Sequence, residues 1–273
     1  MKIAIIGGGY VGKAVAQLWH NNGHEVTITT TTPDKQKELA EFADRVEVVE
    51  GNNIDCLTSL LQDREIVLLS VAAKQRNIEG YRYSYLTTAQ NIVRAIANST
   101  VRQLIYTSSY AVLGDKRGAW TDETAPVAPA NENGEILYET ETTLLSTSNE
   151  VKICVLRLSG IYGEGRELIK IFRSWAGTTR LGTGEDYSNW VHLDDIVNGI
   201  EFVRQKQLAG IYNLTSDEVL TTGEFFDRLF EKHNLPSITW DTNQTSIRPY
   251  NTRLSNQKLS DAGFQLLYPQ IVF

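Results

Sequence analysis

The sequence predicts an α/β fold, a doubly wound parallel sheet with a small, discontinuous C-terminal lobe, and three observations carry that expectation. Short β-branched runs alternate with longer stretches of helical period as far as VKICVLRLSG. The first run passes into its helix through closely spaced glycines, and beyond the last one the pattern loosens into short, turn-rich segments. Such alternation reads as parallel strands joined by crossover helices.

Taken in order, KIAIIG reads as the first strand and YVGKAVAQLWHNNG as its helix, HEVTITTTT as the second strand and PDKQKELAEFAD as the next helix, then RVEVVEG as a third strand. IDCLTSLLQ has helical period, EIVLLSVAA is a buried apolar strand, YLTTAQNIVRAIANS is a helix and RQLIYTSS a strand. Residues 114–134, GDKRGAWTDETAPVAPANENG, are rich in Gly, Pro, Asn and charge and read as an irregular excursion. The helix EILYETETTLLSTS and the strand VKICVLRLSG close the regular pattern. IYGEGRELIKIFRSWAG and TTRLGTGEDYSNW are looser, and VHLDDIVNGIEFVRQ, GIYNLTS and the amphipathic TTGEFFDRLFEKHN follow. The expected division is a first domain of residues 1–162 with 189–215 and a small lobe of 163–188 with 216–273.

A chain of 273 residues can bury a substantial core. Its formal charge of −7 and pI near 5.2, without a block of Lys or Arg, leave no stripe to follow a phosphate backbone, so nucleic acid is not an expected partner. No apolar run approaches the ~20 residues of a membrane helix, and a strand starting at Lys2 leaves no room for a signal segment, so a cytoplasmic location is expected. Cys56 and Cys154 are far apart and lack a nearby His, which suggests neither a disulfide nor a metal site; both are expected as buried small hydrophobes.

Gly7, Gly9 and Gly12 stand at G-x-G-x-x-G spacing between strand and helix. The first serves a tight turn, the second lets the backbone approach a pyrophosphate, and the third lets helix and strand pack closely. N–H groups at the helix start, around Tyr10 and Val11, then face negative charge. This is the dinucleotide-binding signature of a Rossmann-type domain. At the end of the second strand an acid would hold a ribose 2'-hydroxyl. Here the sequence is TITTTTPDK: Thr29, Thr30, Thr31 and Thr32 supply hydroxyls, no carboxylate repels a 2'-phosphate, and Lys35 is close. NADP is favoured over NAD, although threonines also end strands for their β propensity alone.

Together, IIGGGYVG, EGNNID, LLSVAA, IYTSSYAVLG, LRLSGIYGEGR and NWVHLDDIV make the chain similar to the extended short-chain dehydrogenase/reductase superfamily. Within it, the resemblance is to the NAD-dependent epimerase/dehydratase group and its atypical members, and it spans most of the chain. It implies that Asn52 and Asn53 lie near the adenine, that Ser70, Val71 and Ala72 pass under the cofactor ribose, and that Ser159 and Gly160 flank the nicotinamide. Members often pair as homodimers through two helices, but the helix bearing Glu135, Glu139 and Glu141 is too polar to decide this.

The family's chemistry uses a Tyr and a Lys one helical turn apart, with a Ser or Thr nearby. Ser109 matches that Ser. Tyr138 is the only tyrosine on the expected helix, yet Thr142 stands one turn later and no lysine occurs between Arg117 and Lys152. If Glu141 is the Glu that follows the pair in typical members, Asn133 occupies the Tyr position and Leu137 that of the Lys. Tyr138 is then either a general acid without its lysine or an ordinary helix residue.

Other residues leave alternatives open. Tyr162 and Arg166 in IYGEGR stand where the family's substrate enters, and Arg166, like Arg248 in SIRPY, could meet an anion or be a solvated charge. His192 could serve acid/base work, but Asp194 and Asp195 beside it are better read as capping the next helix and holding a loop. Tyr81 and Tyr85 of YRYSY could line a pocket, with core packing the default. Three functions follow: an NADP-preferring oxidoreductase acting on a small carbonyl or hydroxyl compound with an incomplete Tyr-Lys set, a non-catalytic NADP-binding redox sensor or regulator, and a nucleotide-sugar epimerase or dehydratase.

Overall fold

The computed structural model describes residues 1–75, 77–147, 150–246 and 250–273. In chain order the elements begin with β1 (Lys2–Ile6), α1 (Tyr10–Asn21), β2 (Glu25–Thr30), α2 (Gln36–Leu39), β3 (Arg45–Val48) and α3 (Ile54–Leu61). Next come β4 (Ile66–Leu69), α4 (Ile78–Tyr81), a π-helical stretch (Arg82–Thr87), α5 (Thr88–Ile96), β5 (Gln103–Ser109), β6 (Trp120–Thr121), α6 (Glu132–Leu145) and β7 (Lys152–Leu158). Then follow β8 (Gly160–Tyr162), α7 (Leu168–Phe172), β9 (Thr179–Leu181), β10 (Tyr187–Ser188), β11 (Trp190–His192), α8 (Leu193–Lys206) and β12 (Gly210–Leu214). The last are β13 (Leu220–Thr221), α9 (Thr222–Lys232), β14 (Thr239–Asp241), β15 (Arg253–Leu254) and α10 (Gln257–Asp261).

The chain divides into two compact units, the first of residues 1–109, 131–157 and 197–212 and the second of residues 110–130, 158–196 and 213–273. The first holds the sheet β12-β7-β5-β4-β1-β2-β3, with β1 parallel to both β2 and β4, and β2β3 and β4β5 also parallel. That is the doubly wound Rossmann-type arrangement, with the strand order reversing between β1 and β4. Strands buried on both faces read as unbroken apolar runs, and IVLL of β4 is buried at every residue. One apolar core joins strand residues such as Val67, Leu104 and Val155 to Leu57, Ile92 and Leu144 of α3, α5 and α6. Trp19 of α1 is fully buried, and its indole N–H donates to Glu201 at 2.7 Å. Glu201 also takes Arg204 Nε at 2.7 Å.

The second unit is built on an aromatic core in which Tyr162, Phe225, Phe226 and Phe230 pack with Phe172, Trp175 and Trp190. Its sheets are two-stranded: β8 with β11, β9 with β14, β10 with β13 and β6 with β15. Short strands need side chains to hold their ends, and Asn189 does so by donating to the Thr252 carbonyl and accepting the Leu254 N–H. α9 starts with a capping box in which Thr221 and Glu224 each accept the other's backbone N–H. The segment 114–134 is less irregular than its composition suggests, since β6 within it pairs in parallel with β15.

Two local expectations are corrected. PDKQKELAEFAD forms only a 3₁₀ turn, Pro33–Lys35, followed by the single-turn α2, because Leu39 is the one buried side chain in the two that could anchor it. Cys154 is buried, but Cys56 is exposed, standing in the first turn of α3 where its N–H is capped by Asn53. Among the described residues no helix is long and apolar enough to cross a membrane.

Candidate functional site

The glycines occupy the switch point of the sheet, and each has a different steric reason to be there. Gly7 has φ +111°, and a Cβ on it would stand 2.3 Å from the Ser70 carbonyl oxygen. A Cβ on Gly12 would stand 2.0 Å from the Gly7 oxygen, so α1 packs on the loop as only a glycine allows. At Gly9 the result is opposite: among the described residues a Cβ would meet nothing within 4 Å. Steric need explains the first and third glycines but not the second. Open space over Gly9 is the fit expected for a pyrophosphate. α1 begins there with no side-chain cap and no acidic residue in its first turn, so neither of these local devices offsets its positive end. Val11 is buried and Tyr10 half-buried.

The loop is tied to β2 by two bonds, Gly7 N–H to the Thr29 hydroxyl at 3.1 Å and Gly8 N–H to the Thr29 carbonyl at 2.7 Å. The Thr30 hydroxyl is used within the turn, accepting the Thr32 N–H at 3.1 Å. The half-buried Thr31 has no side-chain partner among the described residues, and its carbonyl accepts Lys74 Nζ at 2.9 Å. Lys74 was not singled out by the sequence, because nothing local signals a contact across 43 residues.

Ser70, at the end of β4, accepts the Thr107 hydroxyl at 3.1 Å, which ties β4 to β5; Val71 is half-buried and Ala72 exposed. Asn52 is exposed, whereas the Asn53 side chain accepts the Cys56 N–H at 3.1 Å and so caps α3. Behind them Asn91 donates to the Gly51 carbonyl at 3.0 Å.

Ser109 ends β5 beside Ser108, whose hydroxyl donates to Glu141 at 2.6 Å. Glu141 is fully buried and takes the Arg157 guanidinium at both oxygens, with Nη2 at 2.7 Å. This fixes the register of α6: Leu137, one turn before Glu141, is buried, while Tyr138 is 39% exposed. Tyr138 therefore stands off the face that carries Leu137 and Glu141. The Asn133 Oδ1 is buried with no hydrogen-bond partner among the described residues.

In the second unit, the Ser159 N–H donates to Leu214 and that of Gly160 to Asn189, while the Ser159 hydroxyl is buried without a partner among the described residues. Gly160 is close-packed, since a Cβ there would stand 2.7 Å from the Trp190 ring. The buried Tyr162 accepts the Val272 N–H at 3.0 Å on its hydroxyl, and burial pushes that phenol up to about 12 against the opposing effect of this bond. Arg166 is exposed, with Nε donating to the Ile161 carbonyl at 3.0 Å. His192 lies against Tyr268 at 3.9 Å between ring centres, the two rings tilted by 36°. Asp195 accepts the Leu267 and Tyr268 N–H groups, while burial holds its carboxyl above the usual range. Arg248 lies outside the described residues.

Comparison with known proteins gives a consistent assignment. The model of the NAD dependent epimerase/dehydratase family matches residues 3–215. Protein YeeZ of Escherichia coli (strain K12) is 30% identical over 222 residues, covering 78% of this chain and 77% of its own. The chloroplastic epimerase family protein SDR39U1 homolog of Arabidopsis thaliana is 23% identical over 255 residues, covering 87% of this chain and 72% of its own. Among solved structures, UDP-glucuronic acid 4-epimerase from Bacillus cereus in complex with UDP-glucuronic acid and NAD superposes with a TM-score of 0.79 at 20% identity, covering 100% of this chain and 95% of that one.

Proposed function

The chain belongs to the NAD dependent epimerase/dehydratase family, and on that premise we propose that it is an NADP-preferring oxidoreductase acting on a small carbonyl or hydroxyl compound. The observation that carries the proposal is the loop at Gly9, open where a Cβ could stand and backed by an uncapped helix start. Pyrophosphate would be held by backbone N–H groups at the start of α1. The ribose edge would meet the Thr31 hydroxyl, with no carboxylate at Thr29–Thr32 to repel a phosphate. Ser159, whose hydroxyl has no partner among the described residues, keeps the nicotinamide role that the family resemblance implies for it. The cofactor supplies hydride transfer. This chain's own contribution is then to orient the substrate oxygen through Ser109; Tyr138, the one tyrosine on α6, would have to pass a proton from off the face that carries Leu137 and Glu141.

A second reading, a non-catalytic NADP-binding sensor, draws on one observation: Leu137 is buried where the family's lysine would stand. A third reading, an epimerase or dehydratase acting on a nucleotide sugar like the Bacillus cereus UDP-glucuronic acid 4-epimerase, would need the proton-transfer pair that Asn133 and Leu137 replace in this register.

Calorimetric titration with NADPH and NADH tests the cofactor. Wild type is expected to prefer NADPH, Gly9→Ala to weaken both, and Thr31→Asp to reverse the preference. Absorbance at 340 nm across aldehydes, ketones and quinones then separates the readings. Turnover that falls in Ser109→Ala supports the oxidoreductase; tight binding without turnover supports the sensor; binding of neither nucleotide sinks both.

A further inference from the structure

We propose that Lys74 recognises a phosphomonoester on the cofactor's adenosine ribose, which makes it the residue that sets NADP apart from NAD in this chain. The assignment rests on the NADP reading above and names the group that would enforce it.

Lys74 lies beyond β4, which is separated from β2 by β1, yet its ammonium reaches the residue just past β2 and donates to the Thr31 carbonyl at 2.9 Å. That bond uses one of three N–H donors on an exposed side chain. It also fixes the cation beside the half-buried Thr31, whose hydroxyl has no partner among the described residues. Many other cations of this unit are already neutralised: Lys2 by Asp63, Lys13 by Glu38, Arg64 by Glu25 and Arg157 by Glu141. Lys74 has no ion pair among the described residues.

Among the described residues no acid of the following turn forms an ion pair with it. Glu38 is held by Lys13 at 2.9 Å, and that hydrogen bond, with help from Lys35, keeps its carboxyl below the usual range. Asp34 shares its exposed turn with Lys35. The end of β2 therefore presents an ammonium with spare donors and a free hydroxyl on a backbone position that the Lys74 bond holds. A phosphomonoester carries close to two negative charges and several acceptor oxygens. A free ribose hydroxyl could use only one donor and none of the charge.

The test uses four probes on the whole chain: 2',5'-ADP against 5'-AMP, and NADP+ against NAD+, titrated by calorimetry into wild type, Lys74→Gln and Lys74→Arg. Gln can still bond the Thr31 carbonyl but carries no charge. Lys74→Gln is expected to lose about tenfold in affinity for 2',5'-ADP and NADP+. It should leave 5'-AMP and NAD+ unchanged, and Lys74→Arg should retain the phosphate preference. Raising salt should weaken 2',5'-ADP binding more in wild type than in Lys74→Gln. Equal losses for all four probes, or none, would overturn the role of Lys74 while a wild-type preference for NADP+ kept the wider reading intact. A wild type that binds NADP+ and NAD+ alike, or neither, would overturn both.

Discussion

Replacing Glu141 by Leu should be among the most damaging single changes in the first unit, because it strands a buried cation. Arg157 is 1% exposed and makes three hydrogen bonds to the Glu141 carboxylate, while its Nη1 has no partner among the described residues. A guanidinium stays charged in any protein. Removing its counter-ion costs about 3–5 kcal/mol, and the Ser108 hydroxyl loses its acceptor as well. Arg157→Leu should cost less, because the carboxyl it leaves still accepts the Ser108 hydroxyl. The double variant should be more stable than Glu141→Leu, since a packed apolar pair is often as good as a buried ion pair. Urea unfolding of the four proteins, followed by far-UV circular dichroism and tryptophan emission together, gives the cycle. If the two single losses summed in the double variant to within about 0.5 kcal/mol, the pair would not be coupled and the reasoning would fail.

Three further outcomes are expected. Gly12→Ala should lower stability by about 1–3 kcal/mol, because its Cβ meets the Gly7 carbonyl, whereas Gly9→Ala should melt like wild type; a melt that ranks them the other way contradicts the packing. Burial of Glu201 raises its pKa, but bonds from Arg204, Trp19 and Gln205 outweigh this and leave it lowered. A depressed folded pKa means stability that is present above the unfolded value and lost as pH falls through the folded one. The stability gap between wild type and Glu201→Gln should therefore shrink on acidification below the ordinary carboxylate pKa, with Trp19 emission as the local probe, and a gap independent of pH would count against it. Tyr162→Phe leaves the Val272 N–H without its acceptor, so it should cost about 1–3 kcal/mol and speed proteolysis of residues 269–273; unchanged cleavage would show that the bond does not hold that segment.

How much could be read beforehand depended on the range of the interaction. The glycine loop was legible because its causes are local: a turn at Gly7 and close approach at Gly12 leave a signature within one strand and one helix. The parallel pairing of the strands followed from alternation, since a helix between two strands is the connection that parallel neighbours need. Contacts that join distant stretches left no trace. Trp120–Thr121 looked irregular because its partner, Arg253–Leu254, comes far later in the chain, and a two-residue strand has no period of its own. Lys74 and Val272 were invisible for the same reason, their partners being Thr31 and Tyr162. The exposure of Cys56 cannot be read from residue type, because its place on α3 decides it: Leu57, Leu60 and Leu61 take the inner face.

The chain enters or leaves the second unit after residues 109, 130, 157, 196 and 212. Neither unit is a continuous cassette, so no single crossover between related genes could transplant one of them whole. A chimera carrying another relative's second unit would need three inserts, each matched to the others through pairs such as β6 with β15. New specificities in such an architecture arise more readily by substitution in place than by shuffling of modules.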